Sequence, residues 1–132
     1  MTVPVAAQYL PISPNSPSIH QIAQGKSSVQ ADAATLAQRL NTQGSLQLAN
    51  GQPQVALQTW QEAEKAYAQA KDEMGVLGSK INQAQALQSL GMFRRSLDIL
   101  EQVQQAIAIQ PNSEVKATGL RSLGLAWQAV GD

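Results

Sequence analysis

Apolar residues recur every three or four positions along most of the chain, a spacing that places them on one face of an α-helix. After residue 28 the only prolines are Pro53 and Pro111, and proline suits the start of a helix or the residues beyond its end. The pattern therefore predicts five helices. They cover residues 29–50, 53–70, 73–90 and 93–109, and the fifth opens near Asn112 and ends before Gly131.

Residues 1–28 have a different composition, rich in proline and serine. The prolines are Pro4, Pro11, Pro14 and Pro17. Proline lacks a backbone donor and pushes the preceding residue out of the helical region, so we expect a flexible, disordered leader over 1–28 and a helical domain over 29–132. A second interpretation is that Tyr9, Leu10 and Ile12 of the leader cover an otherwise bare helix face.

A repeat of forty residues runs through the helical part of the chain. Gly51, Gly91 and Gly131 each follow or end a predicted helix and stand forty residues apart. Such self-similarity indicates stacked structural units. The predicted units are 29–71, 72–111 and a partial third repeat at 112–132.

Small residues coincide on the same period. Gly44, Ala84 and Gly124 occupy equivalent places in the first helix of each pair. A small side chain lets two antiparallel helices approach closely, so we expect each of these residues to face the second helix of its pair. The bulky residues Trp60 and Leu100 are expected to lie between neighbouring pairs, which then bury their apolar faces by stacking.

These positions resemble the tetratricopeptide repeat family. Its pattern has a small residue in the first helix, glycine at the turn, and alanine, a bulky residue and alanine in the second helix. The matching residues are Gly44, Gly51, Ala56, Trp60 and Ala63, then Ala84, Gly91, Ser96, Leu100 and Val103. The period exceeds the family's usual value of about 34 residues, and polar Gln43, Gln47 and Gln83 stand where apolar residues are common. The resemblance implies an all-α solenoid of helix pairs and a protein-binding role.

Three stretches resemble a narrower group, the N-terminal repeats of cyanobacterial-type proteins in which tetratricopeptide repeats precede a caspase-like CHAT domain. They are LANGQPQVALQTWQEAEKAY, INQAQALQSLGMFRRSLDIL and KATGLRSLGLAWQAVGD, and the resemblance covers residues 42–132. In that group the peptidase-like Cys and His lie far downstream, and nothing in this sequence matches them. The resemblance therefore implies a scaffold role and transfers no catalytic residue.

The amino-acid composition agrees with a helical protein and argues against nucleic acid or a membrane as its partner. The chain contains 20 Ala and 20 Gln but only two Trp, two Tyr and one Phe. Nine basic and nine acidic residues give a net charge of zero, without the dense basic block that nucleic acid requires. No apolar run is long enough to cross a bilayer, so we expect a soluble protein without membrane insertion. The absence of Cys leaves the compartment open: the cytoplasm or, if an export signal has been removed, the periplasm or exterior.

Candidate catalytic groups are few. His20 is the only histidine and lies in the leader, without a carboxylate fixed beside it. Glu62 and Glu64 face different directions on a helix, and Asp72 and Glu73 stand at a helix junction, where capping is their ordinary role. We therefore expect no enzyme activity, no catalytic residue, no metal site and no cofactor.

The first helix of each pair in such a stack lines a concave groove. By that geometry the partner-binding residues are Gln38, Asn41, Thr42, Ser45, Asn82, Gln85, Gln88, Arg121, Ser122 and Leu125. This wall is rich in amides and nearly uncharged, so it suits the backbone of a protein or peptide. Another possibility is that Arg94 and Arg95, with Lys80 and Arg121, hold an acidic peptide, although exposed charges usually contribute little.

The leading interpretation is a non-enzymatic scaffold that binds a peptide or helix of another protein in the groove. One alternative is an oligomerisation or spacer segment, because the fifth helix presents an apolar face that no further helix of the sequence covers. The residues of that face are Leu120, Leu123, Trp127 and Val130. A second alternative, which depends on the resemblance alone, is the regulatory N-terminal part of a larger CHAT-type, peptidase-like protein.

Overall fold

The computed structural model describes residues 25–111 and 114–131. Within these ranges the backbone forms five α-helices and no strand, which confirms the all-α prediction. The helices are α1 (Gly25–Ala49), α2 (Pro53–Gln69), α3 (Glu73–Ser89), α4 (Phe93–Ala108) and α5 (Glu114–Gly131). Each helix packs against the next, and α3 also packs against α5. The fold is therefore a stack in which consecutive helices pair.

Helix α1 begins at Gly25, four residues before the predicted start at Val29. No proline lies between Pro17 and Pro53, so nothing in the sequence prevents the helix from including residues 25–28. The predicted bounds of α2, α3 and α4 agree with the structure to within one residue. The rest of the predicted leader, 1–24, and the predicted helix start at Asn112 lie outside the described residues.

Three turns of the same backbone geometry connect α1 to α4. Gly51, Lys71 and Gly91 adopt left-handed conformations, with φ of 77°, 59° and 76°. After each of them, the next amide donates to a carbonyl five residues earlier, in the Schellman arrangement. These bonds run from Gln52 N to Gln47 O at 2.9 Å, from Asp72 N to Tyr67 O at 2.9 Å and from Met92 N to Leu87 O at 2.8 Å. Equivalent turns thus occur every twenty residues, and the forty-residue glycine repeat marks every second one.

Replacing Lys71 with glycine is expected to stabilise the protein by about 0.5–1 kcal/mol. A residue with a Cβ is strained in the left-handed region, whereas glycine is not. Part of the gain is offset by the greater freedom of glycine in the unfolded chain. Urea unfolding followed by far-UV circular dichroism measures the change.

The matched control is Gly91→Lys, at a turn of the same geometry, which should destabilise the protein by a similar amount. If Lys71→Gly is neutral or destabilising, the Lys71 side chain makes a contribution to this turn that outweighs its backbone strain.

Two apolar clusters fill the space between the helices. The first joins α2 to α3 and contains Ala56, Leu57, Trp60, Ala86 and Leu87. The second joins α3, α4 and α5 and contains Leu77, Ala84, Leu100, Val103, Ile107 and Leu123. Because α3 contributes to both clusters, the core continues from one helix pair to the next, with Trp60 and Leu100 between neighbouring pairs.

The predicted role of the small residues holds at two of three positions. A Cβ built on Gly44 would lie 2.5 Å from Trp60 Nε1, so α1 and α2 are in close contact there. Ala84 is fully buried, and its carbonyl accepts a hydrogen bond from Ser96 Oγ at 3.1 Å. At Gly124 it stays a prediction, because the partial third repeat supplies only the first helix of its pair, α5. A Cβ there would meet nothing within 4 Å.

The four apolar residues predicted to form a bare face on α5 do not all face outward. Leu123 is only 4% exposed, and Trp127 packs against the second cluster. Leu120 is 46% exposed, and the side chain of Val130 lies outside the described part of the structure. The predicted self-association face is therefore wrong for Leu123 and Trp127, because α5 docks onto the stack through these two residues.

The glutamines at positions where the family commonly has apolar residues have three different environments. Gln83 is buried, and its Nε2 donates to Glu64 Oε1 at 2.8 Å and to Trp60 O at 3.3 Å. Gln47 Oε1 is buried without a hydrogen-bond partner among the described atoms. Gln43 is exposed. At position 83, therefore, a polar side chain replaces apolar packing with hydrogen bonds that join α3 to α2.

Candidate binding groove

Two adjoining cavities lie along the helices α1, α3 and α5. The smaller, of about 170 Å³, is lined by Asn41, Tyr67, Gly75, Gly78, Ser79, Ile81 and Asn82. The larger, of about 280 Å³, is lined by Ile81, Asn82, Gln85, Gln88, Leu125, Ala126 and Ala129. Ile81 and Asn82 line both, so the two cavities meet at α3. We call these two cavities together the interhelical groove.

A hydrogen bond between two asparagines crosses the groove. Asn82 Nδ2 donates to Asn41 Oδ1 at 2.8 Å and links α3 to α1, although the residues are 41 positions apart in the sequence. The pair leaves Asn41 Nδ2 as a donor and Asn82 Oδ1 as an acceptor, neither of which is bonded to another described residue. Each peptide unit of a bound chain carries the matching acceptor and donor. The pair can therefore bind a peptide backbone.

A second set of hydrogen bonds fixes the wall of the larger cavity. Gln88 Nε2 donates to Ser96 Oγ at 3.2 Å and to the carbonyl of Ala126 at 3.3 Å. Gln88 thus connects α3 to both α4 and α5. These contacts hold α5 in place and so set the width of the larger cavity.

Glycines on α3 shape the smaller cavity. A Cβ on Gly75 would overlap the ring of Tyr67, whereas a Cβ on Gly78 would meet nothing within 4 Å. Gly75 thus lets the aromatic ring pack directly on α3, and Gly78 leaves space in the cavity. Burial raises the pKa of Tyr67 above its ordinary value, and the negative charge of Asp72 raises it further. The phenol is therefore uncharged at neutral pH.

The structure brings together half of the predicted partner-binding residues. Those that line the groove are Asn41, Asn82, Gln85, Gln88 and Leu125. Gln38, Thr42, Ser45 and Arg121 are exposed but line neither cavity, and the side chain of Ser122 lies outside the described residues. Ser45 Oγ instead donates to its own helix, at the carbonyl of Asn41, at 3.2 Å.

The sequence prediction missed several residues that line the groove. Ile81, Ala126 and Ala129 are apolar, whereas the predicted lining consisted mainly of polar residues. Ser79 is 1% exposed, and its hydroxyl has no hydrogen-bond partner among the described residues. Tyr67 belongs to α2, whereas the prediction placed the lining on the first helix of each pair. Its aromatic ring was the one feature that could have indicated its role.

Charged side chains do not line the groove. Of the basic residues considered for an acidic peptide, Arg94 and Arg95 are exposed at the start of α4, and Lys80 Nζ donates to Gln102 Oε1 at 3.1 Å. Among the described residues, no group of three or more His, Cys, Asp or Glu side chains could hold a metal ion. His20 lies outside these residues. No helix in the described ranges is both long and apolar enough to span a membrane.

Comparisons with known proteins do not assign the chain to a family. No family model matches the sequence, and neither a curated protein nor a solved structure matches it. Functional inference therefore depends on the residues of the interhelical groove.

Proposed function

We propose that the chain is a non-enzymatic protein-interaction module that binds an uncharged, extended segment of a partner protein in the interhelical groove. The observation that carries the proposal is the pair of adjoining cavities that share Ile81 and Asn82. A surface of this shape offers two adjacent sites for side chains and one hydrogen-bonding position between them. The resemblance to tetratricopeptide repeats, whose role is to bind proteins, supports the same function.

The chemistry of the lining indicates which segments fit. All the lining side chains are uncharged, so a buried charge of the partner would lose hydration without gaining a counter-charge. The apolar residues that line the larger cavity are Ile81, Leu125, Ala126 and Ala129, and they suit an aliphatic side chain. The smaller cavity is more polar because of Asn41 and Tyr67. The partner segment is therefore neutral, with an aliphatic residue as its anchor.

The spacing of the helices indicates how many residues of that segment separate the side chains that enter the two cavities. Packed helices lie about 8–10 Å apart, and a chain in the polyproline II conformation advances about 3.1 Å per residue and points every third side chain in the same direction. Side chains about three residues apart would therefore reach the two cavities. The peptide unit between them would meet the free donor of Asn41 and the free acceptor of Asn82.

Asn82→Arg combined with Gln85→Arg is expected to weaken binding of a neutral peptide at least about 100-fold, since two unpaired guanidinium groups would fill the groove. The peptide would be selected from a displayed library on the full chain. Fluorescence anisotropy with a labelled copy of that peptide gives the affinity.

The matched control is Gln58→Arg with Gln61→Arg, which adds the same two charges to exposed positions on α2. It should leave the affinity unchanged, and far-UV circular dichroism should show both variants folded. Two results would contradict the proposal: a library that enriches only charged peptides, or a folded groove variant that binds as tightly as the parent chain.

A further inference from the structure

The N-terminal segment, residues 1–24, precedes α1 and has the charge character that the interhelical groove requires. It contains no Asp, Glu, Lys or Arg, so all nine basic and all nine acidic residues of the chain lie after position 24. The side chains that line the groove are uncharged too. A neutral segment can enter such a groove without losing the hydration of a charge. The chain itself therefore contains a segment of the kind that we propose the groove to bind.

The prolines of the N-terminal segment recur at a regular interval. Pro11, Pro14 and Pro17 are three residues apart, and a polyproline II helix has about three residues per turn. The spacing predicts this extended conformation, with the prolines along one edge. Leu10 and Ser13 are also three residues apart and share a second edge. That is the separation at which two side chains reach the two cavities of the groove.

Two pairs of side chains have this separation, and one of them fits better. Leu10 is aliphatic and suits the larger cavity, whereas Ser13 is polar and suits the smaller one. The peptide unit midway between them ends in the N–H of Ile12, which can donate to the free acceptor of the asparagine pair. In the alternative pair, Tyr9 and Ile12, the middle peptide unit ends in Pro11 and has no N–H. The sequence therefore favours Leu10 and Ser13.

The N-terminal segment is long enough to reach the groove of its own chain. Helix α1 begins at Gly25, and the groove residue Asn41 lies about 24 Å further along it, at about 1.5 Å per residue. Residues 14–24 span up to about 34 Å in the polyproline II conformation. The difference of about 10 Å lets the chain reverse its direction at the start of α1.

The direction of this return matches the order of the two cavities. Short turns make consecutive helices antiparallel, so α3 runs in the same direction as α1. The smaller cavity contains α3 residues from Gly75 to Asn82, and the larger one contains α3 residues from Ile81 to Gln88. A segment that returns from the start of α1 meets the smaller cavity first. Ser13, which is nearer to α1 in the sequence, therefore reaches the smaller cavity and Leu10 the larger.

We propose that the N-terminal segment occupies the interhelical groove of its own chain, with Leu10 in the larger cavity and Ser13 in the smaller. This inference rests on the proposed function, because it takes the same groove as a peptide-binding site. A partner segment must then displace residues of this chain before it binds. The apparent affinity for a partner is reduced by the fraction of chains whose groove is open, so the N-terminal segment regulates the groove.

A pair of introduced cysteines tests the contact directly, since the chain has no Cys of its own. Leu10→Cys with Gln85→Cys is expected to form an intramolecular disulfide at least about 10-fold faster than Leu10→Cys with Gln61→Cys. Gln85 lines the larger cavity, whereas Gln61 is exposed on α2 and lines neither cavity. Intact mass and non-reducing electrophoresis of dilute full chain follow the reaction. Equal rates, or disulfide-linked dimers in place of monomers, would overturn the proposal.

Leu10→Asp is expected to open the groove, because the new carboxylate cannot enter an uncharged apolar cavity without losing its hydration. The probe is a fluorescent peptide with the sequence of residues 6–18. It should bind the full-length Leu10→Asp chain at least about 10-fold more tightly than the parent chain, in which the N-terminal segment competes with it. Fluorescence anisotropy gives both affinities. Val3→Asp adds the same charge outside the proposed contact and should bind the peptide like the parent.

Adding Asn82→Arg and Gln85→Arg to Leu10→Asp should abolish binding of the peptide. Equal affinity of the peptide for the parent and the Leu10→Asp chain would contradict the proposed competition. Far-UV circular dichroism of every variant separates loss of binding from loss of fold.

The two experiments distinguish this inference from the proposed function. If the two cysteine pairs react equally fast while a library-selected peptide binds in the groove, the proposed function stands and the N-terminal segment is not the occupant. If the disulfide between positions 10 and 85 forms selectively and no library peptide binds even the Leu10→Asp chain, the N-terminal segment is the occupant and the proposed function is wrong.

Discussion

Trp60→Ala is expected to lower the free energy of unfolding by about 3–5 kcal/mol, the largest effect that we predict for a single substitution. The indole is 1% exposed and packs with residues of α2 and α3, while its Nε1 donates to the carbonyl of Asn41 on α1 at 3.2 Å. Removing it leaves a cavity where three helices meet. Urea unfolding followed by far-UV circular dichroism gives the free energy.

Trp127→Ala is the matched control for this prediction. Trp127 is only partly buried at the edge of the second cluster, so its loss should cost no more than about 2 kcal/mol. Equal effects of the two substitutions would contradict the central position that we assign to Trp60 in the stack.

Gly44→Ala is expected to destabilise the protein by about 2 kcal/mol, although alanine is the better helix former. Within a helix, glycine to alanine ordinarily gains about 1 kcal/mol. Here the new Cβ would lie 2.5 Å from Trp60 Nε1 and 2.7 Å from Cδ1, and the indole is only 1% exposed and hydrogen-bonded through Nε1 to the carbonyl of Asn41. Overpacking costs about 1–3 kcal/mol, and a contact this short with a buried ring belongs at the upper end of that range, so the steric cost exceeds the gain in helix propensity.

Two other helical glycines provide controls for Gly44. A Cβ on Gly78 or Gly124 would meet nothing within 4 Å, so Gly78→Ala and Gly124→Ala should each stabilise the protein by about 0.5–1 kcal/mol. Thermal and urea unfolding of the three variants measures the effect of the same added methyl group where it meets Trp60, at Gly44, and where it meets open space, at Gly78 and Gly124. If Gly44→Ala is stabilising too, α1 and α2 are not in close contact at this position.

Local patterns in the sequence were sufficient to predict where most of the helices begin and end. The bounds of α2, α3 and α4 follow from apolar spacing, from Pro53 at a helix start and from glycine at Gly51 and Gly91, because these preferences act within one or two turns of the chain. The same reasoning missed the left-handed Lys71, since lysine gives no sign of that conformation. It also placed the start of α1 at Val29 and not at Gly25, because no breaker marks the boundary.

The tertiary structure alone decided which side chains meet. Periodicity predicted that Asn41 and Asn82 lie on first helices, but their 2.8 Å hydrogen bond depends on the distance and rotation between α1 and α3. The same is true of Gln83, whose burial depends on partners in α2, and of Gly124, which faces open space where Gly44 faces an indole. The sequence by itself determined five helices and their pairing in order, because those features come from interactions between near neighbours in the chain. The groove arises mainly between α1, α3 and α5, which are not neighbours in the sequence, and only packing fixes their separation.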